Sequence, residues 1–65
     1  MRTKTKMQHM HPGDMVNATA PHHRITAWMA DLEREGYLFE LSETRTGYRV
    51  TCVRSPLRPD NETRH

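Results

Sequence analysis

The sequence predicts a small α+β fold in which one amphipathic helix packs on a two-stranded antiparallel hairpin. Two patterns predict it: apolar residues recur every three to four positions within residues 20–35, and they alternate within 37–54. With 65 residues, the chain has room for one domain at most. We expect residues 1–18 to form a mostly flexible N-terminal arm, 19–54 the helix–hairpin module, and 55–65 a disordered tail.

The helix is predicted from a continuous apolar face. Ile25, Met29 and Leu32 lie at positions i, i+4 and i+7, which places them on one side of a helix. Thr19 is suited to cap its N-terminus. Gly36 follows the last turn and adopts the left-handed conformation of a C-terminal cap at little cost. We therefore expect one helix over about residues 20–35.

The hairpin is predicted because apolar and polar residues alternate on either side of a polar loop that contains glycine. Its strands span about residues 37–43 and 47–54. One face of the first strand carries Tyr37, Phe39 and Leu41, and one face of the second carries Tyr48, Val50 and Cys52. Of these, the side chains expected to pack against the helix are Phe39, Leu41, Val50 and Cys52. The arm has no sustained periodicity, and the sequence leaves open one short extra element there.

Composition limits the class of protein. Only 34% of the residues are hydrophobic, so the core is small and its stability marginal. Cys52 is the only cysteine, which excludes an internal disulfide and is typical of a reducing compartment. No apolar run resembles a signal peptide or a membrane span. We expect a cytoplasmic protein without membrane contacts that gains stability from self-association, a partner, or docking of the arm.

Charge is distributed unevenly along the chain. A basic N-terminal third is followed by an acidic stretch over residues 25–43 and a second basic stretch over 44–58. Nucleic-acid affinity comes mainly from Lys and Arg that neutralise phosphates. The candidate nucleic-acid-binding residues are Lys4, Lys6, Arg24, Arg45, Arg49 and Arg54.

A second set of residues points to protein binding. Trp28 lies beside the apolar face of the predicted helix, and tryptophan is enriched at interface hot spots. Asp31 and Glu33 make the same helix acidic. A partner protein or a second copy of the chain could bury the Trp28 ring against this surface.

The segment Arg24-Ile25-Thr26-Ala27-Trp28-Met29-Ala30-Asp31-Leu32-Glu33-Arg34-Glu35-Gly36-Tyr37, with the hairpin that ends in Gly47-Tyr48-Arg49, resembles a known family. It is similar to the recognition helix and wing of the small winged helix-turn-helix proteins of bacteriophages and prophages. The resemblance covers about half of the chain and implies a reduced winged-helix-like fold, DNA binding and transcription regulation. The family has two helices before its recognition helix, and residues 1–19 are too short to supply both.

Catalytic and metal sites are not indicated. No acid–base pair, phosphate-binding glycine loop or nucleophile–base pair is visible in the sequence. His22 and His23 are neighbours and would point about 100° apart on a helix, so they would not share one zinc ion. The alternation in the second strand places Cys52 on the inward face, which favours a buried thiol over a reactive one. We predict a non-enzymatic protein without metal, cofactor or small-molecule substrate.

Two functional hypotheses remain open. The first is a phage-type accessory or regulatory protein, acting in a bacterial host cell, that binds DNA through its basic hairpin and arm. The alternative is a protein–protein interaction module, either a homodimer or a binder or inhibitor of a host protein. This second function would use Trp28 and the acidic helix face.

Overall fold

The computed structural model describes residues 3–57 and contains two helices and a three-stranded antiparallel sheet. The elements in chain order are α1 (Thr3–Met7), β1 (Met15–Ala18), α2 (His22–Glu33), β2 (Leu38–Glu43) and β3 (Tyr48–Arg54). The strand order in the sheet is β1-β3-β2, with β3 in the centre. The mixed α+β class is confirmed, but the predicted count of two strands is wrong.

The predicted hairpin is confirmed within one residue at each boundary. Glu43 pairs with Tyr48, so the loop is the four residues 44–47. The amide of Thr44 donates to the carbonyl oxygen of Gly47 at 2.8 Å and closes this loop.

The additional strand β1 pairs with the outer side of β3. Val16 pairs with Val50, and Ala18 pairs with Tyr48. Four residues are too few to establish an alternating pattern in the sequence. The strand exists because β3 supplies hydrogen-bonding partners for it, which is a tertiary contact and not a local propensity.

The helix α2 is confirmed, although it is shorter at both ends than the sequence predicts. Thr19 is not its N-terminal cap: Pro21 occupies that position with φ −60° and ψ 149°, and no side chain caps the helix. Proline disfavours the helical conformation in Ala20 before it, and the extended backbone of Pro21 itself makes His22 the first helical residue. At the other end, Gly36 has φ +106°.

The C-terminus of α2 forms a Schellman motif. The amide of Tyr37 donates to the carbonyl of Leu32 at 3.1 Å, and the amide of Gly36 donates to that of Glu33 at the same distance. Both Leu32 and Tyr37 are buried, so the motif also brings the first residue after the helix into the core.

The core lies between the helices and one face of the sheet. As predicted, Ile25 and Leu32 are fully buried, while Met29 is only partly buried. The inward side chains of the hairpin pack against them, with Val50 and Cys52 almost inaccessible. The buried hydrophobic residues are Met7, Met10, Ala18, Ile25, Leu32, Tyr37, Phe39, Val50 and Cys52.

The N-terminal arm contributes to this core. Met7 in α1 is fully buried and Met10 is 5% exposed, whereas Met15 is 63% exposed. The flexibility expected for residues 1–18 stays a prediction. The tail predicted over residues 55–65 lies outside the described residues from position 58 onward.

The second face of the sheet is not covered by any described element. Phe39 pairs with Cys52 while Leu38 pairs with Arg54, so Val53 is an extra residue in β3. This bulge turns Arg54 onto the uncovered face beside Leu38, whereas strict alternation would place it inward. Within residues 3–57, neither helix has the length and apolar character needed to cross a membrane.

Candidate nucleic-acid interface

A groove of about 670 Å³ lies between the segment Thr3–Gln8, which contains α1, and one side of α2. Its volume lies within the roughly 300–1,000 Å³ range of typical ligand sites. The described residues of its lining combine two cations, an aromatic ring system and neutral hydrogen-bonding groups. Its lining residues are Thr3, Lys4, Thr5, Gln8, Arg24 and Trp28.

The spacing of residues along α2 brings Arg24, Trp28 and Asp31 to the same side of the helix. They lie at i, i+4 and i+7, one position before the buried face formed by Ile25 and Leu32. This side faces α1, because Lys4 contacts Asp31 and also lines the groove with Arg24 and Trp28. Trp28 is partly buried and packs against the core while it lines the groove.

An ion pair bridges the two helices beside the groove. The Nζ of Lys4 donates to Oδ2 of Asp31 at 3.3 Å. The two side chains are 37% and 52% exposed, so water screens their attraction. The pair holds the Lys4 ammonium group near the groove without removing it from solvent, and an anion in the groove can compete with Asp31 for it.

The α1 wall of the groove is held by buried contacts. Met7 anchors the helix in the core, and the hydroxyl of Tyr37 donates a hydrogen bond to the carbonyl oxygen of Gln8. Burial, followed by the negative charge of Glu35, raises the pKa of Tyr37, so this donor keeps its proton at neutral pH. The short helix therefore has a defined position relative to Trp28.

The six predicted nucleic-acid-binding residues do not form one surface. Lys4 and Arg24 line the groove. Arg49 and Arg54 lie on the uncovered side of the sheet, and Arg45 is exposed in the hairpin loop. Lys6 is exposed on α1 but is not part of the groove lining.

The predicted protein-binding residues are also divided. Trp28 lines the groove and Asp31 borders it through Lys4. Glu33, at the last position of α2, is exposed and lies about 140° around the helix from Trp28. Trp28 and Asp31 thus belong with Arg24 to one site, and Glu33 does not.

Sequence reasoning missed the polar lining that α1 and the residue after it contribute, namely Thr3, Thr5 and Gln8. A helix of five residues carries no periodic signal, and its position depends on where Met7 is buried. In contrast, the common side of Arg24, Trp28 and Asp31 is visible in their spacing alone.

Cys52 and the histidines lie away from the groove lining. The thiol of Cys52 is buried, as predicted, and donates to the carbonyl oxygen of Arg54 at 3.2 Å. The His22 ring packs on Tyr48 with their centroids 5.6 Å apart. Among residues 3–57, no three His, Cys, Asp or Glu side chains come together as a possible metal site.

Comparison with known proteins finds no match, since no family model fits the chain and no curated protein or solved structure is significantly similar to it. Function is therefore inferred from the groove. Two cations can bind anionic groups, the indole of Trp28 can stack on a planar ring, and the threonines and Gln8 can exchange hydrogen bonds. Anionic groups and planar rings occur together in nucleic acids.

Proposed function

We propose that this protein is a non-enzymatic nucleic-acid-binding module that uses the groove between α1 and α2. The observation that carries the proposal is that Lys4, Arg24 and Trp28 line one groove. Lys4 and Arg24 bind backbone phosphates, and Trp28 provides an apolar surface between them. Electrostatic contacts of this kind supply most of the affinity of sequence-independent binding.

We further propose that the fold is a reduced winged-helix-like one. The order of α2, β2 and β3 supports it, because a helix followed directly by a hairpin is what the resemblance implies. One helix, α1, precedes α2 within residues 3–57, where the family has two. The proposed role remains a phage-type accessory or regulatory one, in the cytoplasm of a bacterial host.

The proposal is tested by the salt dependence of binding to a fluorescently labelled oligonucleotide. Each lost phosphate contact lowers the slope of log affinity against log salt by about one. Replacing Lys4 and Arg24 with alanine should therefore reduce the slope by roughly two and weaken binding at about 50 mM salt by at least about tenfold. Fluorescence anisotropy between about 50 and 200 mM salt measures both.

Matched variants remove equal charge elsewhere. The double variant Arg49→Ala, Arg54→Ala removes two cations from the uncovered sheet face. Lys6→Ala with Arg34→Ala removes two exposed cations, one on α1 and one directly after α2. Both should keep the wild-type slope. Absence of any binding at low salt, or an equal loss in all three double variants, would contradict binding through the groove.

Protein binding is the second candidate function, favoured by the access to Trp28 that the groove provides. In this alternative the groove accepts an apolar side chain of a partner or of a second copy. Light scattering of the wild type and of Trp28→Ala tests self-association. A dimer that dissociates in Trp28→Ala, together with no oligonucleotide binding, would favour this function over the first.

A further inference from the structure

We propose that the ligand of the groove is single-stranded nucleic acid, with one base stacked on Trp28 and the flanking phosphates bound by Arg24 and Lys4. This inference rests on the proposed nucleic-acid function and specifies its substrate. It follows from three features of the structure: the distribution of cations, the composition of the groove, and the position of Asp31.

The distribution of cations disfavours a duplex. A duplex presents closely spaced phosphates along a rigid surface, so binding it requires several cations on one face. Here Arg49 and Arg54 lie on the uncovered face of the sheet, and neither lines the groove. Beyond Trp28, α2 continues with Asp31, which would face the backbone of a duplex laid along the helix. Among residues 3–57, Lys4 and Arg24 are the cations that line the groove.

The composition of the groove favours a single strand. Unpaired bases expose their faces, and stacking on an aromatic side chain tolerates every base. Trp28 follows Arg24 by one turn of α2 and lines the groove together with Lys4, so an aromatic ring and two cations come together as a base and its flanking phosphates do. Thr3, Thr5 and Gln8 supply hydroxyl and amide groups for the edges of a base. The groove is also large enough for one nucleotide.

Because of the position of Asp31, its replacement is expected to raise the affinity for the oligonucleotide, whereas replacement of Lys4 or Arg24 lowers it. Lys4 is shared between Asp31, at 3.3 Å, and the phosphate that enters the groove. Replacing Asp31 with asparagine removes the competing charge and frees the ammonium group. Because exposed ion pairs are weak, affinity should rise only about two- to fivefold. Glu33→Gln removes an exposed charge from another side of α2 and should have a smaller effect.

The test uses the intrinsic fluorescence of the full chain, because Trp28 is its only tryptophan. The probes are an oligothymidylate of about eight nucleotides, an abasic oligonucleotide of the same length, and a duplex of that length. Labelled copies of each probe report binding by anisotropy in parallel. We expect the oligothymidylate to change Trp28 fluorescence and to bind at least about tenfold more tightly than the other two.

Variants separate stacking from folding. Trp28→Ala should weaken oligothymidylate binding by roughly 5- to 150-fold, and Trp28→Phe should weaken it less. Circular dichroism establishes that each variant is folded. Since Trp28 packs partly against the core, Asp31→Asn gives an independent measurement at a more exposed position.

The possible outcomes distinguish a failure of the single-strand inference from a failure of the proposed nucleic-acid-binding function. If anisotropy shows binding, but Trp28 fluorescence is unchanged and the abasic probe binds equally well, stacking is overturned while nucleic-acid binding stands. Tighter binding of the duplex would overturn the choice of a single strand. If no probe binds, both proposals are overturned. A complex with a second copy that blocks the groove and excludes the probes would assign it to protein binding.

Discussion

The backbone of Gly47 passes so close to β1 that a Cβ atom there would lie 2.4 Å from the carbonyl oxygen of Ala18. A contact below 3.0 Å forces the backbone to move. This approach occurs beside the pairing of Ala18 with Tyr48, where the hairpin loop ends and β3 begins. The absence of a side chain at Gly47 is therefore a condition for three strands in this sheet.

We predict that Gly47→Ala lowers the free energy of unfolding by about 1–3 kcal/mol, because the added methyl group separates the start of β3 from the end of β1. Thr46→Ala changes an exposed neighbour in the same loop and should cost less than about 0.5 kcal/mol. Urea denaturation of both variants measures the difference. Equal stability of the two would mean that β1 does not pair here.

The buried position of Met7 gives a test of whether α1 belongs to the folded domain. Truncating a fully buried methionine removes apolar contacts and leaves a cavity, so Met7→Ala should cost about 2–4 kcal/mol. Met15→Ala truncates a methionine that is 63% exposed and should stay within about 0.5 kcal/mol of wild type. Thermal denaturation compares them. If Met7→Ala matched Met15→Ala, α1 would not be docked in solution.

The sequence predicts the elements whose side chains repeat over enough residues to set a period. The helix α2 and the hairpin satisfy this condition, and Gly36 marks the boundary between their two periods. The segments α1 and β1 do not, because five and four residues are too short for a pattern. Their structure depends on distant partners: Met7 reaches the core, and β1 pairs with a strand about 30 residues later in sequence.

The candidate site was predictable only in its parts. Charge and residue type identify Lys4, Arg24 and Trp28 as binding residues, but they assign them to two different functions. The groove joins them because α1 docks beside α2, which the sequence does not indicate. The bulge at Val53, in contrast, separates a predicted binding residue from the groove. It turns Arg54 onto the uncovered face of the sheet.

The hydrogen bond from Tyr37 to the carbonyl oxygen of Gln8 connects the residue before β2 to the residue after α1. Tyr37→Phe keeps the ring, which stacks on Phe39 at 5.6 Å, but leaves this oxygen without its donor. We expect a loss of about 0.5–1.5 kcal/mol. The loss should be accompanied by weaker oligonucleotide binding, because the α1 wall of the groove becomes less ordered.

Tyr48→Phe is the matched control for Tyr37→Phe. Tyr48 is partly buried, and within residues 3–57 its hydroxyl makes no hydrogen bond to protein. Its removal should change stability by less than about 0.5 kcal/mol and leave binding unchanged. Chemical denaturation and anisotropy measure the two properties on the same samples. A Tyr37→Phe variant that behaves like Tyr48→Phe would show that this hydrogen bond does not position α1.

The buried thiol of Cys52 predicts a loss of stability at alkaline pH. Burial, and then the negative charge of Asp14, raises the pKa of Cys52 above its ordinary value of 9.0, although a hydrogen bond to the Arg54 carbonyl opposes this. In the pH window above 9.0, the unfolded chain loses its thiol proton before the folded chain does. Stability from the neutral thiol is therefore present below pH 9.0 and lost as pH rises through the folded pKa.

Urea denaturation at a series of pH values from about 8 to 10 tests this prediction, using Cys52→Ala as the comparison. The free energy of unfolding of the wild type should fall over this range, and the fall should be smaller in Cys52→Ala. Tyr37, whose pKa is also raised, acts in the same direction only above its ordinary value of 10.0, beyond this range. Parallel profiles for wild type and variant would show that the Cys52 thiol has the same pKa in the folded and unfolded chains, and hence that water reaches it in the native state.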